Sequence, residues 1–178
     1  MRLFFRIIGH DKLCELFPNF KEDIAENGID LRVGELYLIN KMKSNENGWV
    51  GCIRDEKLPP VYSKVRTDGK DHYVLEPHNF YFIKVDRPIH IPHGYCQTYY
   101  LRSTFSRCGL ILTDAVGDDD FQGTLMLGVY NSSPVPVHMG FNERVVQALT
   151  IRNDGTAKSY DGSYKNDRLY DEKESLGK

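Results

Sequence analysis

The chain lacks the features of three broad classes of protein. Its 23 lysine and arginine residues are balanced by 25 aspartate and glutamate residues, so it has no basic excess of the kind that neutralises a nucleic-acid backbone. No apolar run is long enough to cross a bilayer, and the run in MRLFFRIIGHDKL is too short for a signal peptide with its cleavage site. We therefore expect a soluble cytoplasmic protein that binds neither nucleic acid nor membrane. A few well-placed cations would still suffice to bind a small phosphorylated ligand.

Metal-binding patterns are also missing from the sequence. The four cysteines are scattered without a CxxC pair: Cys14, Cys52, Cys96 and Cys108. This spacing argues against zinc and favours reduced thiols in the cytoplasm. His90 and His93 are close together in IHIPHG, but Pro92 makes a turn between them and no third ligand is apparent. We expect both histidines to be structural.

The pattern of apolar residues predicts one mainly β domain. A length of 178 residues suffices for one domain with a core. A short helix is expected first, capped by Asp11 and stopped by Pro18. Segments rich in apolar and aromatic residues then predict strands in GIDLRVGELYLIN, YVLEPHNFYFIKV, TLMLGVYN, PVPVHMG and RVVQALTI. Many short strands with turns between them indicate a barrel, a sandwich or a jelly roll.

Two segments differ in composition from this strand-rich part. Residues 41–71 are polar and charged and contain two adjacent prolines. We expect them to form a surface insertion, for example a hairpin. The domain that contains this insertion is expected to span residues 1–152. Residues 153–178 hold no apolar run and many charges, which is the composition of a flexible arm.

The first polar constellation is LRSTFSR, residues 101–107. The Arg102 guanidinium offers a fork of donors that fits phosphate oxygens, and Ser103 adds a hydroxyl and a backbone N–H. This pair could hold a polyphosphate. The alternative is a strand end followed by a short helical turn, capped by a threonine or serine, with both arginines solvated.

The second constellation is the acidic turn DDDFQG, residues 118–123. Three acids and a glycine between apolar segments are, first of all, a hairpin loop. The functional interpretation uses one carboxylate to orient and deprotonate a water molecule, with an aromatic ring against a sugar. Hydrolysis of a phosphoanhydride needs such a base, cations near the developing charge, and usually Mg²⁺ across the phosphates. Arg102 and this turn would supply complementary halves of that site.

The third constellation is GFNERVVQ, residues 140–147, which predicts a turn followed by an alternating strand. Gln147 occupies an otherwise apolar strand position, where its amide costs free energy unless it is hydrogen-bonded. A ligand phosphate and a buried backbone group would satisfy it equally well.

Taken in order, these segments resemble the motifs of the trimeric dUTPase and dCTP deaminase superfamily. NGIDLRVG looks like its first motif, LRSTFSRCGL its second, AVGDDDFQG its third and GFNERVVQ its fourth, and LEPHNFYFIKVDRPIHIPHGY resembles the deaminase-type approach to the second. The resemblance covers residues 28–147. It implies a jelly-roll β-barrel that forms a homotrimer, with active sites at the subunit interfaces.

The resemblance also implies roles for individual residues. Asp118 would activate the attacking water, and Asp30 would support the phosphate and metal region. Phe121, where dUTPases usually have tyrosine, would pack under the deoxyribose and exclude a 2′-hydroxyl. Mg²⁺ would be held mainly by the triphosphate rather than by the protein. The residues expected to bind the nucleotide are Arg102, Ser103, Thr104, Arg107, Phe121, Gln147, Tyr160 and Tyr164.

The tail segment SYDGSYKND, residues 159–167, resembles the closing arm of the deaminases through Tyr160, Gly162 and Tyr164. Ser163 and Lys165 stand where that arm is expected to carry lysine and glutamine. A functional arm would order over the bound nucleotide and exclude water from its phosphates. A disordered chain end is the alternative.

One missing acid separates the two activities of the superfamily. The deaminases place a proton-shuttling glutamate in the strand after the third motif, where TLMLGVYN has Gly128. The sequence therefore favours dUTP diphosphatase, which converts dUTP and water to dUMP and pyrophosphate. A dCTP deaminase, or a bifunctional deaminase and diphosphatase, is the second hypothesis. The third is a nucleotide-sensing or protein-binding member without catalysis. Gly117, where an aliphatic residue is more common, leaves room for it.

Overall fold

The computed structural model describes residues 6–42, 60–67, 69–113, 116–155, 158–162 and 165. The helices and strands of this part of the chain are α1 (His10–Leu16), a 3-10 helix (Pro18–Asp23), β1 (Ile29–Met42), β2 (Pro60–Lys64), β3 (His72–Leu75), β4 (Phe80–Val85), β5 (Ile89–His90), β6 (Tyr95–Leu101), α2 (Ser103–Arg107), β7 (Leu110–Thr113), β8 (Val116–Gly117), β9 (Gln122–Gly123), β10 (Met126–Asn131), β11 (Val137–Gly140) and β12 (Arg144–Arg152).

The first helix forms where the sequence predicts it, but its cap differs. Gly9 is the N-cap and makes no side-chain hydrogen bond, so Asp11 lies in the first turn instead of capping it. Pro18 begins the 3-10 helix directly after α1. Leu13 and Phe17 are 0% and 3% exposed, so α1 is held by burial of its apolar face.

The main sheet has eight strands in the order β7-β10-β4-β1-β12-β6-β8, with β2 added beside β1. The 14-residue strand β1 changes partner along its length. Residues 29–32 pair with β12, as in Asp30 opposite Gln147, and residues 33–38 pair with β4, as in Glu35 opposite Lys84. Register shifts interrupt β1 between these pairings, and such bulges bend a strand. The sheet therefore curls around its apolar face.

Alternating side chains of the curled sheet fill the core. Strand β4 alternates half-buried and buried residues along its whole length, as expected of a sheet with one face inward. Two small sheets, β3 with β11 and β5 with β9, add further strand pairs. The most deeply buried apolar residues include Ile29, Leu31, Leu36, Leu75, Ile83, Ile89, Ile91, Tyr99, Leu127, Val129 and Met139.

Part of the predicted insertion belongs to the main sheet, because β2 pairs with the outer half of β1 from Tyr37 to Met42. Residues 43–59 lie outside the described residues. The domain boundary after residue 152 and the flexibility of the arm stay predictions. Among the described residues, no helix is long and apolar enough to cross a membrane.

Candidate active site

Asp30 and Arg102 form an ion pair that joins the first motif to the second. Asp30 lies in β1 and is only 1% exposed, so its carboxylate requires partners within the protein. The Arg102 guanidinium, just after β6, donates to one of its oxygens, and the Arg102 backbone N–H donates to the Val145 carbonyl at 2.8 Å. The Arg102 side chain is still 39% exposed. One nitrogen of the guanidinium is thus held by Asp30, and the partly exposed side chain has further N–H donors that could bind an anion.

Gln147 brings the fourth motif to the same carboxylate. It lies opposite Asp30 on β1 and opposite Tyr100 on β6. Its Nε2 lies 3.5 Å from Asp30 Oδ1, at the long limit for a donated hydrogen bond. The amide partner is therefore a side-chain carboxylate, which was neither of the two partners weighed from the sequence. Three of the four motifs converge on Asp30.

Sequence reasoning missed Arg144, at the start of β12. Its Nη1 lies 3.8 Å from Asp30 Oδ2, and its Nε lies 3.8 Å from Asp23 Oδ1. Because its side chain is 45% exposed, it adds a second cationic group beside Arg102. The signal that could have identified it is its place in the fourth motif, three residues before Gln147.

Helix α2 holds three further predicted binding residues on its solvent side. Arg102 is its N-cap, and no side-chain hydrogen bond caps it, so a serine or threonine cap is not found. Phe105 is buried and anchors the turn. Ser103, Thr104 and Arg107 are exposed. They lie next to Arg102, and their binding roles stay predictions.

The third motif builds a separate pocket around Asp118. Strand β8 pairs with β6 through Gly117 opposite Gln97, and Asp118 follows with an exposed side chain. The pocket has a volume of about 460 Å³, within the range of small-molecule sites. The residues that line it are Cys96, Asp118, Asp119, Asn153, Lys158, Ser159, Tyr160 and Asp161.

Asp119, the middle acid of the turn, is a structural residue that the sequence did not distinguish from its neighbours. It is 6% exposed. Its carboxylate accepts hydrogen bonds from the Gly94 backbone N–H at 2.7 Å and the Asn153 amide at 2.8 Å, and it lies 2.7 Å from His93 Nδ1. These contacts hold the turn in place and so fix the backbone from which Asp118 projects.

The glycine before Asp118 is explained by packing. A Cβ on Gly117 would collide with the Tyr99 hydroxyl and the Ile91 side chain. The Tyr99 hydroxyl donates to Gln97 Oε1 at 3.3 Å, and Gln97 donates to the Thr150 hydroxyl at 3.1 Å. Burial raises the pKa of Tyr99, which keeps this donor protonated. The Tyr99 hydroxyl and the Ile91 side chain thus occupy the space that an aliphatic side chain at position 117 would need, which gives Gly117 a structural explanation.

The described cysteine and histidine side chains near the third motif have structural surroundings. Burial, aided by the charges of Asp119 and Asp118, raises the pKa of Cys96, which favours the neutral thiol. His90 Nε2 lies 3.2 Å from Asp120 Oδ1, a structural contact. Within the described ranges, no group of three or more His, Cys, Asp or Glu side chains could hold a metal ion. The described cysteines, Cys14, Cys96 and Cys108, are free, and Cys52 lies outside the described residues.

The arm contacts the third motif of its own chain. The Tyr160 backbone N–H donates to the Asp119 carbonyl at 2.7 Å, and the Tyr160 and Phe121 ring centroids are 5.8 Å apart. Phe121 is only 8% exposed. Tyr160, and not Phe121, lines the pocket beside Asp118, so contact of a sugar with Phe121 stays a prediction. Tyr164 lies outside the described residues.

Gly128 is closely covered by its neighbours. It lies in β10 between Phe82 of β4 and Thr113 of β7. A Cβ at Gly128 would collide with Thr113 Oγ1 and would lie 2.7 Å from Phe80 Cζ. A side chain at Gly128 would therefore require Thr113 or Phe80 to shift.

The two halves of the candidate site are far apart within one chain. Arg102 follows one end of β6, whereas Gly117, the residue before Asp118, pairs with Gln97 near the other end. Five to six residues of extended strand span roughly 20 Å. The structure thus gathers Asp30, Arg102 and Gln147 at one end of β6 and Asp118 with Tyr160 at the other.

Comparisons with known proteins show the family. A family model described as dCTP deaminase-like matches residues 9–152. The chain belongs to the dCTP deaminase-like family. A crystal structure of the 2′-deoxycytidine 5′-triphosphate deaminase from Agrobacterium tumefaciens matches 84% of this dCTP deaminase-like chain with a TM-score of 0.61 at 15% identity. That match covers 48% of the Agrobacterium chain, so the present chain spans about half its length. The likeness confirms the predicted jelly-roll fold.

Curated relatives of this dCTP deaminase-like chain are named for two activities. A probable deoxyuridine 5′-triphosphate nucleotidohydrolase of Methanothermobacter thermautotrophicus is 38% identical over 160 residues, which cover 89% of this chain and 99% of that protein. A dCTP deaminase of Pyrobaculum calidifontis is 28% identical over 170 residues, covering 91% of this chain and 93% of that protein. Relatives with these names are nucleotide-processing enzymes.

Proposed function

We propose that the chain is a dUTP diphosphatase, which hydrolyses dUTP to dUMP and pyrophosphate. The observation that carries this choice is the packing at Gly128, where the deaminases of the superfamily are expected to have their glutamate. The Cβ of such a side chain would collide with Thr113 and Phe80 as they stand. The 38% identical relative named as a probable dUTP nucleotidohydrolase supports the same choice.

The phosphate half of the site is assigned to the residues around Asp30. Arg102 and Gln147 would bind phosphate oxygens while Asp30 holds both in place. The exposed hydroxyls of Ser103 and Thr104 and the Arg107 guanidinium would add donors. Cationic and hydrogen-bonding groups placed in advance stabilise the charge that develops in phosphoryl transfer.

The other half supplies the base. Asp118 would take a proton from a water molecule, whose oxygen attacks the α-phosphorus in line with the departing pyrophosphate. The P–O bond to the β-phosphate breaks, and the oxygen atom from water remains on dUMP. The exposure of Asp118 beside the pocket supports this role, because a general base must come within hydrogen-bonding distance of the water whose proton it takes.

The separation of the two halves supports an oligomer with shared sites. Because Arg102 and Asp118 lie at opposite ends of β6, a compact nucleotide could contact both only if they came from different chains. We infer a homotrimer in which each active site combines Arg102 of one chain with Asp118 of another. We also place the reaction in the cytoplasm.

Mg²⁺ is expected to accompany the triphosphate. The described residues include no cluster of three or more ligands for a metal ion, and Arg102 already pairs with Asp30. These residues fit a cation held by triphosphate oxygens and water, the hard ligands that Mg²⁺ prefers. Bound there, Mg²⁺ would neutralise part of the phosphate charge.

A substrate panel tests the proposal. Purified protein with Mg²⁺ is offered dUTP, dCTP, dTTP and UTP, and both pyrophosphate release and the identity of the base are followed. We expect turnover of dUTP with no change of base. A lack of dUTP turnover at micromolar protein would refute the proposal, and formation of a uracil nucleotide from dCTP would support the deaminase hypothesis. Binding of dUTP without turnover would support the sensor hypothesis.

A further inference from the structure

Lys165 joins two parts of the arm to the acidic turn. Its ammonium donates to Asp120 Oδ2 at 3.0 Å and to the Tyr160 carbonyl at 3.0 Å. Its backbone N–H donates to the Gly162 carbonyl at 3.1 Å. One side chain therefore connects the arm on both sides of Gly162 to the turn that carries Asp118.

Asp120 is held ready for this contact. Its backbone φ of 61° lies in the left-handed region, which aspartate tolerates better than most residues. The Lys165 hydrogen bond, followed by that of His90, lowers the pKa of Asp120. The carboxylate is therefore charged at neutral pH and attracts the ammonium on the arm.

The consequence for the pocket lies in the position of Tyr160. Its backbone N–H bonds the Asp119 carbonyl and its ring lies against Phe121, while Tyr160 also lines the pocket with Asp118. Any group that keeps the Tyr160 carbonyl in place also keeps Tyr160 in this wall of the pocket. Lys165 is such a group.

We propose that Lys165 is a positioning residue that clamps the arm onto the third motif of its own chain, so that Asp118 and Tyr160 of one chain form a single wall against the nucleoside. This inference rests on the proposed function for the identity of the ligand, a deoxyribonucleoside triphosphate. The clamp itself is a property of the protein without ligand. In a site shared between chains, the arm would then come from the same chain as the general base Asp118.

The clamp is tested first without substrate. Hydrogen–deuterium exchange at the Tyr160 amide is compared in the wild type, Lys165→Met and Lys165→Arg, with Lys21→Met, an exposed lysine of the 3-10 helix, as a matched control. We expect exchange to be about fivefold faster in Lys165→Met, the effect of losing a partly exposed ion pair. Lys165→Arg and Lys21→Met should match the wild type. Unchanged exchange in Lys165→Met would overturn the clamp, whatever the protein hydrolyses.

Kinetics then test the positioning role. For Lys165→Met we expect KM for dUTP to rise about fivefold with kcat within about twofold, because only the contacts that position Tyr160 are lost. Lys165→Arg should restore KM. A kcat loss with unchanged KM would overturn this role. If the wild type does not hydrolyse dUTP, the proposed function fails, and the exchange measurement still decides the clamp.

Mixed oligomers test which chain supplies the arm. Asp118→Asn and Tyr160→Ala chains are refolded together in equal amounts, so that mixed assemblies form. If the arm and the base come from one chain, no mixed assembly contains an intact pair, and activity stays at the mean of the two parents. Restored activity well above that mean would show that the arm acts on a neighbouring chain and would overturn the inference.

Discussion

The Asp30 carboxylate and the Arg102 guanidinium are joined in an ion pair that connects β1 to the end of β6 across β12. Gln147, on the strand between them, approaches the other carboxylate oxygen. The buried acid thus orients two side chains whose donors suit phosphate before any ligand binds. Such prior placement would reduce the ordering cost of binding the triphosphate of the proposed substrate.

The contact of Arg102 with Asp30 predicts that a positive charge at position 102 is not sufficient for phosphate binding. The Arg102→Lys variant would keep the positive charge but lose the fork that can bond Asp30 and a phosphate together. We expect at least about tenfold weaker binding of the non-hydrolysable analogue α,β-imido-dUTP in calorimetric titration. Arg152→Lys, at the exposed end of β12, is the control and should bind as the wild type does. Equal affinity of both variants would remove Arg102 from the site.

The neighbouring acids Asp118 and Asp119 should respond differently to mutation. Asp118→Asn is expected to abolish turnover while analogue binding persists and the free energy of unfolding changes by less than about 0.5 kcal/mol, because the side chain is exposed. Asp119→Ala should lower the free energy of unfolding by about 2 kcal/mol or more, since three polar partners are left without their acceptor. Urea unfolding and turnover assays measure both.

The assignment would be contradicted by the reverse pattern. If Asp118→Asn lost binding to the same degree as turnover, Asp118 would have a role in binding or structure. If Asp119→Ala retained full stability, the hydrogen bonds to Gly94 and Asn153 would not be what holds the turn.

A carboxylate introduced at Gly128 should find no space. We expect Gly128→Glu to lower the free energy of unfolding by about 1–3 kcal/mol through overpacking against Phe80 and Thr113, and to show no dCTP deamination. Gly128→Ala should show a smaller loss, which separates the effect of bulk from that of charge. A stable Gly128→Glu protein that deaminates dCTP would show that the strand can accommodate the acid.

The contacts of Glu35 predict that part of the free energy of unfolding is lost at acid pH. A hydrogen bond from Lys64, with further contacts to Tyr37 and Lys84, lowers the pKa of Glu35 from 4.5 to about 2. A carboxyl with a lowered pKa stabilises the fold above its ordinary pKa, and this contribution disappears as the pH falls from about 4.5 towards 2. Because the pair is partly exposed, we expect about 1 kcal/mol.

The measurement compares urea unfolding at pH 6 and pH 3 for the wild type and Glu35→Gln. The wild type should lose about 1 kcal/mol more than the variant over this range. Glu26→Gln, in an exposed turn, is the control and should follow the wild type. Identical pH dependence in all three proteins would exclude a role for Glu35.

The strands of this fold could be predicted from local patterns, because alternation of apolar residues is itself local. The segments that become β1, β4, β10 and β12 are visible in this way. The prediction of a jelly roll rested on the order of the motifs. The periodicity of apolar residues left a barrel, a sandwich and a jelly roll open, because it does not determine the order of the strands. The prediction that Asp11 caps α1 was wrong. Asp11 could cap only a helix that begins at the next residue, and the local sequence did not reveal that α1 begins at His10.

The parts of the site that escaped prediction depend on contacts between distant residues. Three consecutive aspartates look alike in sequence, and only Gly94 and Asn153, 25 and 34 positions away from Asp119, decide which one is buried. Gly117 departs from the pattern of the family, and the reason is the Tyr99 hydroxyl, which comes from another strand and occupies the space beside it. The separation of Arg102 from Asp118 likewise follows from how β8 pairs with β6.

Hydrolysis of dUTP in ¹⁸O-labelled water tests the central claim most directly. If Asp118 directs water to the α-phosphorus, mass spectrometry should find one ¹⁸O atom per turnover in dUMP and none in pyrophosphate, and Asp118→Asn should abolish the incorporation. Label in pyrophosphate, or an absence of dUTP hydrolysis while dCTP is deaminated, would contradict the account.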